Sequence, residues 1–127
     1  YFQQAITQIQ IERQYWDIRQ PFSISGLNQE IVATAAVGAG IKSSLLNEAR
    51  VEVDFRRGGE RIVLSGSGHH STVKKVMNEA FIPPWERGHI PIIYINDEVA
   101  AIVGLSTALP FQAKPQESGY LITCQPI

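Results

Sequence analysis

Strict alternation is clearest from Val51 to Phe55, where Val51, Val53 and Phe55 fall on one face and Glu52 and Asp54 on the other, the pattern of a half-buried strand. Gly58-Gly59 can supply the positive φ angles of a tight hairpin, so Ile62-Val63-Leu64 is predicted to run back as that strand's partner. A second hairpin is predicted from Pro91 to Gly104, with strands over Ile92 to Ile95 and Val99 to Val103 and a turn at Asn96-Asp97. Glu30 to Val37 reads as a strand stopped by Gly38 and Gly40, and Gly119 to Thr123 as a closing strand. The opening is less decisive. Phe2 to Ile11 fits a helix end or a strand, Tyr15 to Ile18 reads as extended up to Pro21, and Ser23 to Asn28 reads as a loop around Gly26.

One helix interrupts this β pattern. Ser71 is the expected N-cap, and Val73, Val76, Met77 and Ala80 recur at i, i+3, i+4 and i+7 as a single apolar stripe. Pro83 is expected to end the helix at about the residue before it. The predicted class is mostly β (α+β): a mixed or antiparallel sandwich or barrel-like domain with one main helix. A chain of 127 residues suits one domain, with residues 1–20 read as a linker or lead-in strand from a preceding domain and 21–127 as the domain itself. A first residue of Tyr rather than Met leads us to expect a piece of something longer.

Composition adds mainly exclusions. Apolar content of 44% and charged content of 18% are those of a soluble globular protein. No apolar run approaches the roughly 20 residues that span a bilayer, so no membrane partner is expected, and no secretory signal opens the chain. Cys124 is the only cysteine, which excludes an internal disulfide and a multi-cysteine zinc site and makes a cytoplasmic setting the expectation.

Charge changes the picture more. The chain carries 11 Lys/Arg against 12 Asp/Glu, yet from Phe55 to Lys75 it places Arg56, Arg57, Arg61, Lys74, Lys75, His69 and His70 with one acid, Glu60. These cations stand beside the Gly58-Gly59 and Gly66-Ser67-Gly68 turns, as at a place built to hold phosphates. Lys74 and Lys75 sit in the first turn of the predicted helix, where the dipole disfavours cations. A phosphate would resolve that conflict, drawing on first-turn N–H groups, the Ser71 hydroxyl and both ammonium groups. Arg56, Arg57 and Arg61 offer guanidinium forks suited to phosphodiesters, and Arg87 extends the basic face. The competing reading is a solvated face on which the charges do nothing.

Other chemistries find little support. Neither GxxxxGK[ST] nor an SGGxDS-type loop is present. His69, His70 and His89, with Glu79 or Cys124, lack metal-site spacing, and a Ser71, His70 and Asp54 triad lacks a nucleophile elbow. His69 or His70 either reads phosphate or ribose or caps the loop. Trp85 either stacks on a base or sugar beside Arg87 or forms a rigid lid on the helix and hairpin; the framing by Pro83-Pro84 favours the lid.

The run Phe55-Arg56-Arg57-Gly58-Gly59-Glu60-Arg61-Ile62, then Gly66, His70, Lys74-Lys75, Ile82-Pro83-Pro84-Trp85-Glu86-Arg87, Pro91 and Gly104 resembles the C-terminal domain of bacterial tRNA(Ile)-lysidine synthases. The similarity covers roughly residues 50 to 105, with Gly38-Ala39-Gly40-Ile41 the recognisable piece before it. It implies a fold related to a β-subunit module of phenylalanyl-tRNA synthetase. It also implies a parent enzyme that uses ATP to adenylate the wobble cytidine of a CAU-anticodon isoleucine tRNA and then attaches lysine with loss of AMP. ATP and lysine would then be substrates of the parent, with no cofactor in this chain and no catalytic residue or metal site in it. The implied partners are tRNA(Ile), probed at its acceptor stem, and an N-terminal PP-loop domain of the same protein, with a homodimer left open. On this resemblance Arg56, Arg57, Arg61, His70, Ser71, Lys74, Lys75 and Arg87 are the tRNA-binding candidates. The alternative is a structural or interaction domain that packs on the catalytic domain or on a second subunit.

Overall fold

The computed structural model describes residues 13–24, 28–48, 50–56, 58–64 and 70–126. In chain order, β1 (Gln14–Tyr15), β2 (Phe22–Ile24), β3 (Gln29–Val37) and β4 (Ile41–Lys42) lead into a short helix α1 (Ser43–Glu48). β5 (Val51–Phe55), β6 (Arg61–Val63) and β7 (His70–Thr72) precede helices α2 (Val73–Glu79) and α3 (Pro84–Arg87). β8 (Pro91–Ile95), β9 (Glu98–Ile102), β10 (Ser106–Thr107), a 3₁₀ turn at Leu109–Phe111 and β11 (Ser118–Pro126) complete the order.

Every strand pairing among the described residues is antiparallel. One sheet runs β1-β5-β8-β9-β10, a second β2-β3-β11-β4, and a third is the pair β6-β7. The first sheet is the middle layer. Strand β8 is buried at all of its positions, and its two-residue period divides it between two cores. Ile93 and Ile95 join Trp16, Ile31, Ile41 and Val53 in one. Ile92 and Tyr94 join Ile62, Val73, Val76 and Met77 in the other. The first core holds the two large sheets together as a sandwich, and the second seats β6-β7 and α2 on the outer face of the middle sheet. That outer layer carries Arg61, Lys74 and Lys75.

The expected sandwich, the 91–104 hairpin and the closing strand are all present. Asn96 and Asp97 take φ of 51° and 68°, the paired positive values of a two-residue hairpin turn. The expected hairpin between Val51–Phe55 and Ile62–Leu64 is not formed. Both edges of β5 are occupied, by β1 on one side and β8 on the other, so β6 has no edge to join and pairs with β7 instead. Gly58 and Gly59 do have positive φ, 113° and 83°, but they carry the chain from one sheet to another. Ser23 and Ile24 are strand rather than loop, and the residues around Gly26 lie outside the described set, as do those from Phe2 to Ile11. Tyr15 is in β1 and Trp16 is buried, so the end of the expected lead-in is part of the sandwich.

The helix also departs from expectation at both ends. Its N-cap is Thr72, whose hydroxyl accepts a hydrogen bond from the Lys75 N–H at 3.0 Å. Ser71 lies in β7 and is 8% exposed. The helix stops at Glu79, well before Pro83. Ile82 N–H donates to the Met77 carbonyl and Phe81 N–H to the Asn78 carbonyl, the two bonds of a Schellman motif that closes the helix from within. The apolar stripe is therefore Val73, Val76 and Met77; Ala80 is the C-cap and exposed.

Candidate functional site

The middle sheet hands its basic segment to the outer layer at Arg56. This side chain is half-buried, and its Nε is buried without a hydrogen-bond partner among the described residues, a state that costs about 1–3 kcal/mol if nothing satisfies it. Arg57 lies outside the described residues. The glycine turn that follows holds the chain's own acid: Gly58 N–H donates to both Glu60 carboxylate oxygens, at 3.0 and 3.2 Å. The Glu60 carbonyl accepts from Val73 N–H at 2.9 Å. This turn thus anchors the start of α2, and its N–H at Gly58 already faces a carboxylate.

Arg61 is exposed on β6, directly opposite Thr72 on β7. It therefore sits one strand spacing from the cap of α2, a separation of about 5 Å between Cβ atoms. On its other side it lines an open cleft with Asp97 and Glu98. Lys74 and Lys75 follow the cap and are both exposed. Two of the first-turn N–H groups expected to meet an anion are already bonded, Val73 to Glu60 and Lys75 to Thr72, so the lysine side chains are the main cationic feature here. His70 pairs through its backbone with Val63; Gly66 to His69 lie outside the described residues.

Arg87, at the end of α3, is placed differently. Its Nε donates to the Ile82 carbonyl at 2.9 Å, which fixes the guanidinium near the C-terminal end of α2. The seven residues of α2 rise about 10 Å, so Arg87 and the two lysines mark opposite ends of one short helix. Trp85 is not the lid its prolines suggested: it is 76% exposed, and Phe81 is 89% exposed.

The cations differ by location. Outside the basic layer, Arg13 pairs with Asp54 and Asp97, Arg19 with Asp17, Lys42 with Glu117 and Arg50 with Glu52, and Lys114 alone makes no ion pair with a described residue. Within it, Arg56, Arg61, Lys74, Lys75 and Arg87 make no ion pair with any described residue. Chain position alone did not reveal this division, because it depends on which acids the fold brings near each cation.

The most developed polar contact was also missed. Arg13 Nε donates to the buried Asp54 carboxylate at 3.2 Å, its Nη1 to Asp97 at 2.9 Å, and its guanidinium lies 3.9 Å over the Tyr94 ring. Burial works against the Arg13 charge, but the Asp54 hydrogen bond and the neighbouring acids outweigh it and raise its pKa further. Asp54 also accepts from Phe55 N–H at 2.7 Å. This arrangement ties β1 to the middle sheet and occupies Asp54, which had no such partner in the triad drawn on paper. Cys124 is surface-exposed by area, yet enough protein surrounds its thiol that burial pushes its pKa up, the opposite of a reactive thiolate. Among the described residues no group of three or more His, Cys, Asp or Glu gathers as a metal site, and no helix is long and apolar enough to cross a membrane.

Comparison with known proteins bears on this layer directly. The family model described as the TilS substrate C-terminal domain matches residues 51–124, from β5 into β11. The chain is 34% identical over 111 residues to a tRNA(Ile)-lysidine synthase of Coxiella burnetii, covering 87% of this chain and 24% of that protein. It is 37% identical over 110 residues to a tRNA(Ile)-lysidine synthase of Alkalilimnicola ehrlichii, again over 87% and 24%. The chain therefore spans about a quarter of the length of these relatives. A solved structure titled "Crystal structure of TILS C-terminal domain" superposes with a TM-score of 0.68 over 91% of this chain and 98% of that one. At 23% identity that likeness speaks for the fold.

Proposed function

Because the chain belongs to the TilS substrate C-terminal domain family, we propose that it is the tRNA-holding domain of a tRNA(Ile)-lysidine synthase. It grips the backbone of tRNA(Ile) at the acceptor stem. The ligation itself, adenylation of the wobble cytidine by ATP and displacement of AMP by lysine, belongs to an N-terminal PP-loop domain of the same cytoplasmic protein. Arg56, Arg57, Arg61, His70, Lys74, Lys75 and Arg87 contact phosphates, and Ser71 supports them from within β7.

The observation that carries this reading is the division of the cations. Of the five described cations outside the basic layer, all but Lys114 have carboxylate partners, whereas the five within it have none among the described residues. Exposed ion pairs contribute little to stability, so the division matters for where positive charge is left available. A duplex stem hides its base edges in a deep, narrow groove, so such a surface reads backbone and shape.

Titration of tRNA(Ile) into the chain at several salt concentrations tests the proposal. About 0.7–0.9 of a slope unit per phosphate contact gives a log–log slope near −4 from the five described Lys/Arg of the layer alone. Between about 50 and 200 mM salt, affinity should then fall by about two orders of magnitude. A salt-independent affinity, or none, would return the domain to the alternative of a surface that packs on protein.

A further inference from the structure

Two aromatic side chains, Phe81 in the link between α2 and α3 and Trp85 within α3, lie outside both cores. Phe81 is 89% exposed and Trp85 76%, whereas the other tryptophan, Trp16, is 3% exposed. Phe81 is also in a costly backbone state. It occupies the residue just past the cap of α2 with φ of 59°, the left-handed position of a Schellman motif that glycine normally fills. The motif is otherwise complete, since Ile82 N–H reaches Met77 and Ile82 packs against the same core as Met77. A phenylalanine here is disfavoured by its backbone and by its contact with water, and glycine would close the helix with neither penalty. A strained, exposed residue of this kind points to function. Between the two rings in sequence, the Ile82 carbonyl holds Arg87 by its Nε at 2.9 Å, leaving the two terminal guanidinium nitrogens without a bond to any described residue.

We infer that Phe81 and Trp85 are stacking surfaces for unpaired nucleobases of the bound RNA, with Arg87 holding a phosphate beside them. This rests on the RNA-holding reading above and adds a single-stranded component to a grip otherwise directed at duplex backbone. Bases can be reached only where they are splayed out of the helix, and aromatic faces accept them without regard to sequence. The surroundings favour this occupant over a protein. Two aromatic side chains present roughly 300–500 Å², short of the about 800 Å² per partner of a stable protein interface. Lys74, Lys75 and Arg87 stand at the two ends of α2 without carboxylate partners among the described residues. Glu79 and Glu86, exposed on the same stretch, keep the space near the rings closer to neutral and leave the phosphates to the cations at its ends.

The test uses the 127-residue chain and two hairpin RNAs with one stem, one blunt and one with a short unpaired 3′ extension. The extended RNA should bind more tightly and quench the emission of exposed Trp85, with buried Trp16 as a constant background. Phe81→Ala and Trp85→Ala should each weaken binding of the extended RNA about 5- to 150-fold and leave the blunt RNA unaffected. Phe81→Gly separates this from unfolding, because it should lose the same affinity while its melting temperature holds or rises. Equal affinity of the wild-type chain for both RNAs overturns the inference, as does an equal loss on both in the variants. Binding of the extended RNA that needs Lys74 and Lys75 but is unchanged by Phe81→Ala and Trp85→Ala sinks this inference alone. Binding of neither RNA removes it together with the RNA-holding reading. Self-association that Phe81→Ala or Trp85→Ala abolishes, with affinity for the extended RNA intact, would assign the pair to a second copy and overturn the inference.

Discussion

Replacing Lys74 and Lys75 together with alanine should move stability and binding in opposite directions. Both lysines are exposed, occupy the first turn of α2 and lack a carboxylate among the described residues. At the positive end of a helix each costs a few tenths of a kcal/mol, and with only seven residues in α2 the low end of about 0.3 applies. Alanine also has the better helix propensity. The double variant should therefore gain about 0.6 kcal/mol, or about 2 °C in melting temperature. If each lysine meets one phosphate, the binding slope falls by about 1.4–1.8 in total, a loss of about 25- to 60-fold at about 0.1 M salt that vanishes near 1 M. Fluorescence anisotropy of labelled tRNA(Ile) over a salt series, beside thermal melts of both proteins, reads both quantities. Two parallel salt lines would refute the phosphate contacts. A lowered melting temperature would refute the dipole argument, since it would mean the lysines stabilise α2 by some contact of their own.

Three further outcomes follow from local geometry. Thr72→Ala should cost about 1 kcal/mol through loss of the cap, and Ser71→Ala less; denaturant unfolding of the pair would expose a wrong cap assignment by reversing that order. Gly40→Ala should destabilise by about 3 kcal/mol or more, because a Cβ there would sit 2.1 Å from the Tyr120 carbonyl oxygen, on a residue with φ of 76°; a folded variant with a wild-type melt would contradict it. The Arg19 hydrogen bond holds the Asp17 carboxyl below its ordinary pKa, so its small contribution is present above the unfolded-state value and lost as pH falls through the folded one. Asp17→Asn should thus lower stability slightly at neutral pH and leave it unchanged in acid, and a difference that grew on acidification would show the sign to be wrong.

What could be read in advance was what depends on near neighbours in the chain. The 91–104 hairpin is set by Asn96-Asp97, whose side chains suit the left-handed angles the turn requires, and β5 announces itself by alternation. The pairing of β5 could not be read so, because its edges are taken by Gln14–Tyr15 and by Pro91–Ile95, both about 40 residues away. The Gly58-Gly59 turn was a correct local inference joined to the wrong partner. The cap was one residue off although a signal existed: Thr72, not Ser71, immediately precedes Val73, the first buried residue of the stripe. Pro83 was a true helix breaker that acted too late, since the carbonyls of Met77 and Asn78 had already closed the helix. Trp85 was misjudged for a related reason. Prolines restrict backbone angles, but they do not determine whether a neighbouring core has room for a ring.

The same distinction between local and distant contacts explains how a chain of net charge −1 can present a cationic layer. Acids and bases are nearly equal in number, so a basic face requires that acids be gathered elsewhere. The fold does this through long-range pairing. Asp54 is held by Arg13 from 41 residues away, and Asp97 meets the same guanidinium across 84. Glu117 lies within 4.0 Å of Lys42. Within the basic segment the single acid, Glu60, accepts from the Gly58 backbone N–H through both carboxylate oxygens. Mutating Glu60 to Gln would keep the side chain's shape while weakening that contact, since a neutral amide oxygen accepts less strongly from an N–H than a carboxylate does. The layer would gain a unit of net positive charge, so non-specific RNA affinity should rise at low salt while the Gly58 turn loosens and the chain melts earlier. An unchanged melt with unchanged affinity would show that Glu60 neither shapes the turn nor tempers the charge around it.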